Sequence, residues 1–128
     1  MRKQILIVGI VYGALSVILG AFAAHGLKDL LETQQISTFE TGVRYQMYHS
    51  LFLLVLSQMK GLKEKFVKFS FWCVVIGVLL FSGSIYGLAT NSLSGFDFKS
   101  IAFITPIGGL FLIIGWLILL FGLTSRKD

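Results

Sequence analysis

Four long stretches of this chain contain no charged residue, and they constrain the fold more than any other feature. The stretches hold 24, 15, 28 and 26 residues and run over Gln4–Leu27, Tyr45–Met59, Phe69–Phe96 and Ser100–Ser125. A helix needs about 20 apolar residues to cross the hydrocarbon core of a bilayer. Three stretches are long enough alone, whereas the second can cross only if the polar residues before it, from Thr38 onward, extend its helix.

The composition leaves no room for a separate water-soluble domain. The chain is 55% hydrophobic and only 13% charged, whereas soluble domains carry about 25% charged residues. We predict an all-α membrane protein with a single domain over residues 1–128, folded as an antiparallel bundle of four transmembrane helices. The helices should cover about residues 4–24, 38–59, 69–91 and 100–123. The pattern Ser37-Thr38-Phe39-Glu40 has the form of a capping box and places the second start near residue 38.

Positive charges lie mainly on one side of the predicted membrane. Eight of them fall at the two ends of the chain and between the second and third helices: Arg2, Lys3, Lys60, Lys63, Lys65, Lys68, Arg126 and Lys127. Only Lys28, Arg44 and Lys99 fall on the other side. Because short loops rich in lysine and arginine stay in the cytoplasm, we expect both termini to be cytoplasmic. No aromatic or structured surface accompanies the lysines, so we expect no nucleic-acid partner.

A cleaved signal peptide is the alternative reading of the first stretch. Ala21-Phe22-Ala23 has the small-x-small form of a cleavage site. The apolar run Ile5–Ala24 is longer than the usual signal core of about 7–15 residues, so we favour a retained helix.

Small residues recur at helical spacing and predict close helix packing. The first helix carries Gly9, Gly13, Ser16, Gly20 and Ala24 on one stripe. Further packing glycines are expected at Gly83, Gly87, Gly108 and Gly109. Such stripes let helix backbones approach closely in a membrane. Packing within one chain is favoured, while a homo-oligomer or a contact with another membrane protein stays open. Pro106 should loosen the outer end of the fourth helix.

The second helix concentrates polar side chains on one arc. At 100° per residue, Arg44, Tyr45, Tyr48 and His49 fall within about 140°, and we expect this arc to face the bundle interior. Thr105 should lie at a similar depth and His25 nearer the outer surface. Arg44 pairs either with Glu40 or with an anion. His49 is either an uncharged interhelical hydrogen-bond partner or part of a proton or ligand pathway.

Motifs for catalysis and metal binding are missing from the sequence. No HExxH, CxxC or paired carboxylate spacing occurs, and no serine lies in a GxSxG turn. His25 and His49 differ in predicted depth by about 15 Å, too far apart to share a metal ion. We therefore expect no catalytic residue, no metal and no cofactor.

Three ordered motifs resemble one family. They are GAFAAHGL at residues 20–27, FETGVRYQMYH at 39–49, and TPIGG at 105–109 followed by Gly115-Trp116. They are similar to the YgdD-like or YwdK-like family of small bacterial membrane proteins, which has animal relatives called transmembrane protein 256. The resemblance covers essentially the whole chain. It implies a multi-pass plasma-membrane protein of undefined biochemical role and assigns no catalyst.

Two functions from different classes follow from these observations. The favoured one is a non-enzymatic structural or accessory membrane subunit, with membrane lipids as partners and a homo-oligomer or another membrane protein as the open choice of protein partner. The alternative is a protein that binds or transports a small anion, a lipid headgroup or a proton. It would use an outward-facing chamber lined by Arg44, Tyr45, Tyr48, His49 and Thr105, with His25 nearby. A polar cavity would favour the second function, and side chains that satisfy one another would favour the first.

Overall fold

Four α-helices make up most of the computed structural model, which describes residues 1–125. They are α1 (Arg2–His25), α2 (Thr33–Gln58), α3 (Glu64–Ala89) and α4 (Ile104–Thr124). Two short 3₁₀ helices, Asn91–Leu93 and Phe98–Ile101, connect α3 to α4. No strand occurs in residues 1–125, which confirms the all-α prediction. Arg126 and Lys127, used above for orientation, lie outside the described residues.

Three of the helices are long and apolar enough to cross a membrane. They are α1, α3 and α4, with mean hydropathies of 2.5, 2.0 and 2.4 over their most apolar segments. These helices take up most of the three stretches that were long enough by sequence. At 26 residues, α2 has the length of a span, but its first half is polar. Thus α2, the predicted span that needed polar residues to reach sufficient length, is also the long helix that is not apolar enough to count as a candidate span.

The start of α2 lies five residues before the predicted one, at Thr33. The side-chain Oε1 of Gln35 accepts a hydrogen bond of 2.9 Å from the backbone N–H of Glu32, which precedes the helix. That bond satisfies a donor that the first turn leaves free. The predicted cap at Ser37–Glu40 is wrong, because these residues lie inside α2.

Pro106 lies in the first turn of α4 and does not loosen that helix. The helix begins at Ile104, so the missing N–H of Pro106 belongs to the group of first-turn donors that have no intrahelical acceptor. The structure therefore corrects the prediction of a weakened helix. A short 3₁₀ helix, Phe98–Ile101, stands where a continuous helix from residue 100 was expected.

Each pair of successive helices packs closely, and a serine joins each pair. Ser50 Oγ of α2 donates to the Gly9 carbonyl of α1 at 2.7 Å. Ser82 Oγ of α3 donates to the Gly42 carbonyl of α2 at 2.8 Å. Ser70 Oγ of α3 donates to the Gly115 carbonyl of α4, also at 2.8 Å. A serine side chain is short, so these bonds require backbones in close approach, and glycine permits that approach.

The glycines differ in how tightly their neighbours enclose them. A Cβ on Gly9 would lie 2.9 Å from Leu54 Cδ2, and one on Gly13 would lie 2.7 Å from Ser50 Oγ. A Cβ on Gly20 would make an ordinary contact of 3.5 Å with Val43. The stripe on α1 therefore packs against α2 within one chain.

In α4, the heptad-spaced Gly108, Gly115 and Gly122 are all buried. A Cβ on Gly108 would lie 2.8 Å from the backbone carbon of Leu80. The position of Gly109 is looser, at 3.5 Å from the Phe81 ring.

Two of the glycines predicted on α3 are not at close helix–helix contacts. Gly87 packs against the ring of Phe98 in the second 3₁₀ helix, with a Cβ position 2.7 Å from Cε1. Around Gly83, no described side chain or neighbouring backbone lies within 4 Å of the Cβ position. Gly42 was not predicted, and its Cβ position lies 2.7 Å from the Tyr86 ring.

Apolar side chains form two clusters along the bundle. The larger one joins α1, α2, α3 and α4 around Ile5, Leu53, Leu56, Val74 and Leu112. The smaller one lies at the other end of the bundle and comprises Ala23, Leu27, Leu31, Phe39 and Ala89. The segment between α1 and α2 thus closes that end with two of its leucines.

We expect Gly108→Ala to lower the free energy of unfolding in detergent by about 1–3 kcal/mol, the usual cost of overpacking. Its methyl group would press on the Leu80–Phe81 backbone, which cannot move without separating α3 from α4. The matched control is Gly83→Ala, which should leave stability unchanged or raise it by up to about 1 kcal/mol through helix propensity. Equal stabilities for the two variants would contradict the close approach of α3 and α4.

Candidate functional site

The face that α2 buries differs from the predicted one. Arg44 is exposed, and Tyr45 and Tyr48 are 39% and 51% exposed. Gln46 and His49 are only 5% and 4% exposed. The interior position predicted for Arg44, Tyr45 and Tyr48 is therefore wrong, whereas that of His49 is confirmed.

The close helix contacts explain this rotation of α2. Gly42 and Ser50 meet α3 and α1 through the serine bonds described above, and those contacts fix which side of α2 faces inward. Arg44 and the two tyrosines then point outward. Tyrosine is common where a helix crosses the membrane surface, because its ring is apolar and its hydroxyl polar.

His49 is held between α2 and α4 by both ring nitrogens. Its Nδ1 lies 2.6 Å from the carbonyl oxygen of Tyr45. Its Nε2 accepts a hydrogen bond of 3.0 Å from the indole Nε1–H of Trp116. A carbonyl only accepts and an indole N–H only donates, so Nδ1 carries the proton and Nε2 does not. The geometry therefore selects one neutral tautomer and leaves His49 no free nitrogen for a ligand.

Gln46 links three helices through its amide. The Nε2–H of Gln46 donates to the Tyr12 carbonyl of α1 at 2.9 Å. Its Oε1 accepts from the Tyr86 hydroxyl of α3 at 2.6 Å. The Tyr12 hydroxyl in turn donates to the Val75 carbonyl of α3 at 3.0 Å. These bonds connect α1, α2 and α3 at one level of the bundle.

The remaining buried polar atoms are also paired. Ser84 Oγ of α3 and Thr105 Oγ1 of α4 lie 2.5 Å apart. Within residues 1–125, every buried side-chain nitrogen and oxygen has a hydrogen-bond partner. Thr105 thus belongs to a helix contact and does not join Arg44 and His49.

The other two predicted site residues lie at the surface. Arg44 donates from Nη2 to Thr41 Oγ1 at 2.9 Å. The predicted pair with Glu40 is not formed, since the ion pair found in residues 1–125 joins Arg2 to Glu64. His25 is exposed in the last turn of α1. The six predicted residues therefore do not line a common chamber.

A groove between α2, α3 and α4 reaches His49. It holds about 330 Å³ and is lined by Tyr45, His49, Phe81, Gly109, Leu112, Ile113 and Trp116. Its walls are largely apolar, and the polar atoms that His49 brings to it are already bonded. No group of three metal-ligating side chains lies together anywhere in residues 1–125.

Sequence reasoning missed most of the partners in these bonds. Tyr12, Tyr86 and Trp116 lie inside apolar stretches, and the helical pattern of the sequence does not mark them as hydrogen-bond partners. Gln46 lies on the side of α2 opposite Arg44, away from the arc that was predicted to face the interior. The available signal was the polar side chain itself. An amide on a transmembrane helix needs a partner on a neighbouring helix, and tyrosine and tryptophan are among the polar residues that those stretches contain.

Comparison with known proteins places the chain among membrane proteins without an assigned role. Residues 19–109 match the model of a family described as "Protein of unknown function (DUF423)". A "UPF0382 membrane protein" of Haemophilus influenzae is 40% identical over 128 residues, covering 100% of this chain and 99% of that protein. A Staphylococcus epidermidis protein of the same description is 40% identical over 91% of this chain and 92% of its own length.

The comparison also confirms the resemblance found from the motifs. The "UPF0382 membrane protein YwdK" of Bacillus subtilis is 36% identical over 91% of this chain and 93% of its own length. No solved structure matches the chain. The chain belongs to the DUF423 family, and the relatives it resembles are named as membrane proteins.

Proposed function

We propose that this protein is a non-enzymatic structural or accessory component of the plasma membrane, with four spans and both termini in the cytoplasm. The observation that carries the proposal is the complete pairing of buried polar atoms in residues 1–125. A catalyst or a transport pathway needs a polar group that is free to engage its substrate. Here the imidazole, amide and hydroxyl groups inside the bundle bond to neighbouring helices instead.

The lipid-facing side of α2 supports its assignment as the fourth span. Leu51 and Val55 are 53% and 62% exposed, which suits a hydrocarbon environment and not water. The 26 residues of α2 extend over about 39 Å at 1.5 Å per residue. That length exceeds the hydrocarbon core of about 30 Å, so the polar first turns can stand in the interface while Arg44 extends its side chain toward water.

The alternative function, binding of a small anion, a lipid headgroup or a proton, is favoured by one observation. The groove beside Tyr45 and His49 is open to a ligand and holds about 330 Å³. A ligand would gain a hydrogen bond to His49 there only if the imidazole released one of its present partners. We therefore rank this function second. A homo-oligomer or another membrane protein remains the proposed type of protein partner.

Reporter fusions test the proposed topology. Fusions within residues 59–63 and after the end of α4 should both report a cytoplasmic location, because the basic residues concentrate there. Fusions within residues 26–32 and within residues 90–103 are the controls and should both report the opposite side. If the fusions on either side of α2 report the same compartment, α2 does not cross the membrane and the four-span arrangement is lost.

A double-mutant cycle on His49 and Trp116 tests whether the polar groups serve packing. Trp116→Phe removes the indole donor, and His49→Phe removes its acceptor. We expect a coupling free energy of about 0.6 kcal/mol, and at most about 1.7, in detergent unfolding, as for other interhelical bonds.

The matched control for this cycle is Trp72→Phe, whose tryptophan is 50% exposed on α3. That substitution should show no coupling to His49→Phe. The variant His49→Lys should be less stable than His49→Phe by about 3 kcal/mol, because it places an ammonium group in hydrocarbon. Equal stability of the lysine and phenylalanine variants would mean that His49 faces water, which would favour the ligand-binding alternative.

A further inference from the structure

A wide groove lies between α3 and α4, at the end of the bundle where α2 connects to α3. It holds about 600 Å³, and its walls are apolar apart from Lys65 at its mouth. Phe66 and Phe69 form one wall and Leu117 and Phe121 the other. On α4 the groove reaches from Phe121 to Ile114, which is about 10 Å along the helix.

A second, smaller cavity continues the groove toward the loop. It holds about 270 Å³, shares Lys65, Phe66 and Phe121 with the groove, and adds Lys63. The two cavities together form a path that is apolar along the helices and basic at its end. This polarity matches an amphipathic molecule with a negative headgroup.

The charge at this basic end is uncompensated within the described residues. Lys63 and Lys65 are both exposed. Glu64, the acidic residue between them, bonds to the Arg2 guanidinium of α1 at 3.0 Å. The Lys65 ammonium lies 5.1 Å from the centroid of the Phe66 ring, which holds the cation at the mouth of the groove.

We propose that this groove binds an anionic glycerophospholipid, with an acyl chain between α3 and α4 and the phosphate at Lys63 and Lys65. The proposal rests on the proposed membrane topology, which places residues 59–63 at the cytoplasmic leaflet. That leaflet carries the anionic lipids to which basic residues next to the membrane are attracted. The occupant is a lipid and not a free phosphate ion, because the greater part of the cavity is apolar.

The test is lipid titration of the purified full-length protein in detergent, followed by native mass spectrometry. The probes are phosphatidylglycerol and phosphatidylcholine with identical acyl chains. Phosphatidylglycerol should bind more tightly, and the double variant Lys63→Gln/Lys65→Gln should weaken its binding about 30-fold, or about fivefold per lysine. Binding of phosphatidylcholine should not change.

The matched control is Lys28→Gln/Lys99→Gln, which removes the same charge from the opposite end of the bundle and should leave both lipids unaffected. If this control lost as much phosphatidylglycerol binding as Lys63→Gln/Lys65→Gln, the loss would come from the net charge of the protein, and the proposed site would be wrong. Equal binding of the two lipids to the unmodified protein would also overturn it.

A second pair of variants tests the apolar part of the site. Leu117→Trp fills the groove and should weaken both lipids. Leu120→Trp changes an equally exposed residue on α4, since the two leucines are 53% and 58% exposed, and it should have no effect. If Leu117→Trp and Leu120→Trp weakened lipid binding equally, the acyl chain would not bind in this groove. Glycerol phosphate should not displace the lipid, and displacement would show that the headgroup alone is bound.

Melting of each variant without added lipid identifies any variant that does not fold. The titration is made in detergent and does not depend on membrane orientation. If reporters place residues 59–63 outside the cell while the lysine effect persists, the topology fails and the lipid site stands. If the reporters agree with the topology and Lys63→Gln/Lys65→Gln does not change phosphatidylglycerol binding, only the proposed lipid site is wrong.

Discussion

A serine hydroxyl that donates to a glycine carbonyl on the next helix holds each successive pair of helices together. The three bonds, Ser50 to Gly9, Ser82 to Gly42 and Ser70 to Gly115, are 2.7–2.8 Å long. Helices in a membrane gain no hydrophobic free energy by leaving lipid for one another, so close packing and interhelical hydrogen bonds must supply the attraction. Glycine contributes to both, since it has no side chain to separate the backbones.

The same contacts determine which residues are available for function. They turn Gly42, Gln46, His49 and Ser50 inward, and they leave Arg44, Tyr45 and Tyr48 at the surface. The inward polar groups then find partners on neighbouring helices, including Trp116 for His49. The buried polar side chains of residues 1–125 already have hydrogen-bond partners. We therefore expect a ligand to bind in a groove on the outer surface of the bundle. We therefore place the proposed lipid site on the surface between α3 and α4.

The sequence was sufficient for the fold class and insufficient for the orientation of α2. Long uncharged stretches require spanning helices whatever their partners, so the all-α fold and the three apolar spans could be predicted. The rotation of α2 depends on which neighbour each small residue meets, and a helical wheel contains no neighbours. Clustering of Arg44, Tyr45, Tyr48 and His49 on one arc suggested an interior site, but only His49 is buried. Gly42 and Ser50 define the buried face through contacts with α3 and α1, which periodicity does not encode.

The protonation state of His49 in a lipid bilayer tests the central claim most directly, because the claim is that its ring is fully used in helix packing. Solid-state ¹⁵N spectroscopy of selectively labelled histidine distinguishes the two neutral tautomers from the imidazolium ion, and His49→Phe assigns the signal. The account predicts a protonated Nδ1 and an unprotonated Nε2 near neutral pH, with the Nε2 signal changed by Trp116→Phe and unchanged by Trp72→Phe. An imidazolium ion, the opposite tautomer or rapid proton exchange with water would show that His49 lines an aqueous site, and would contradict the account.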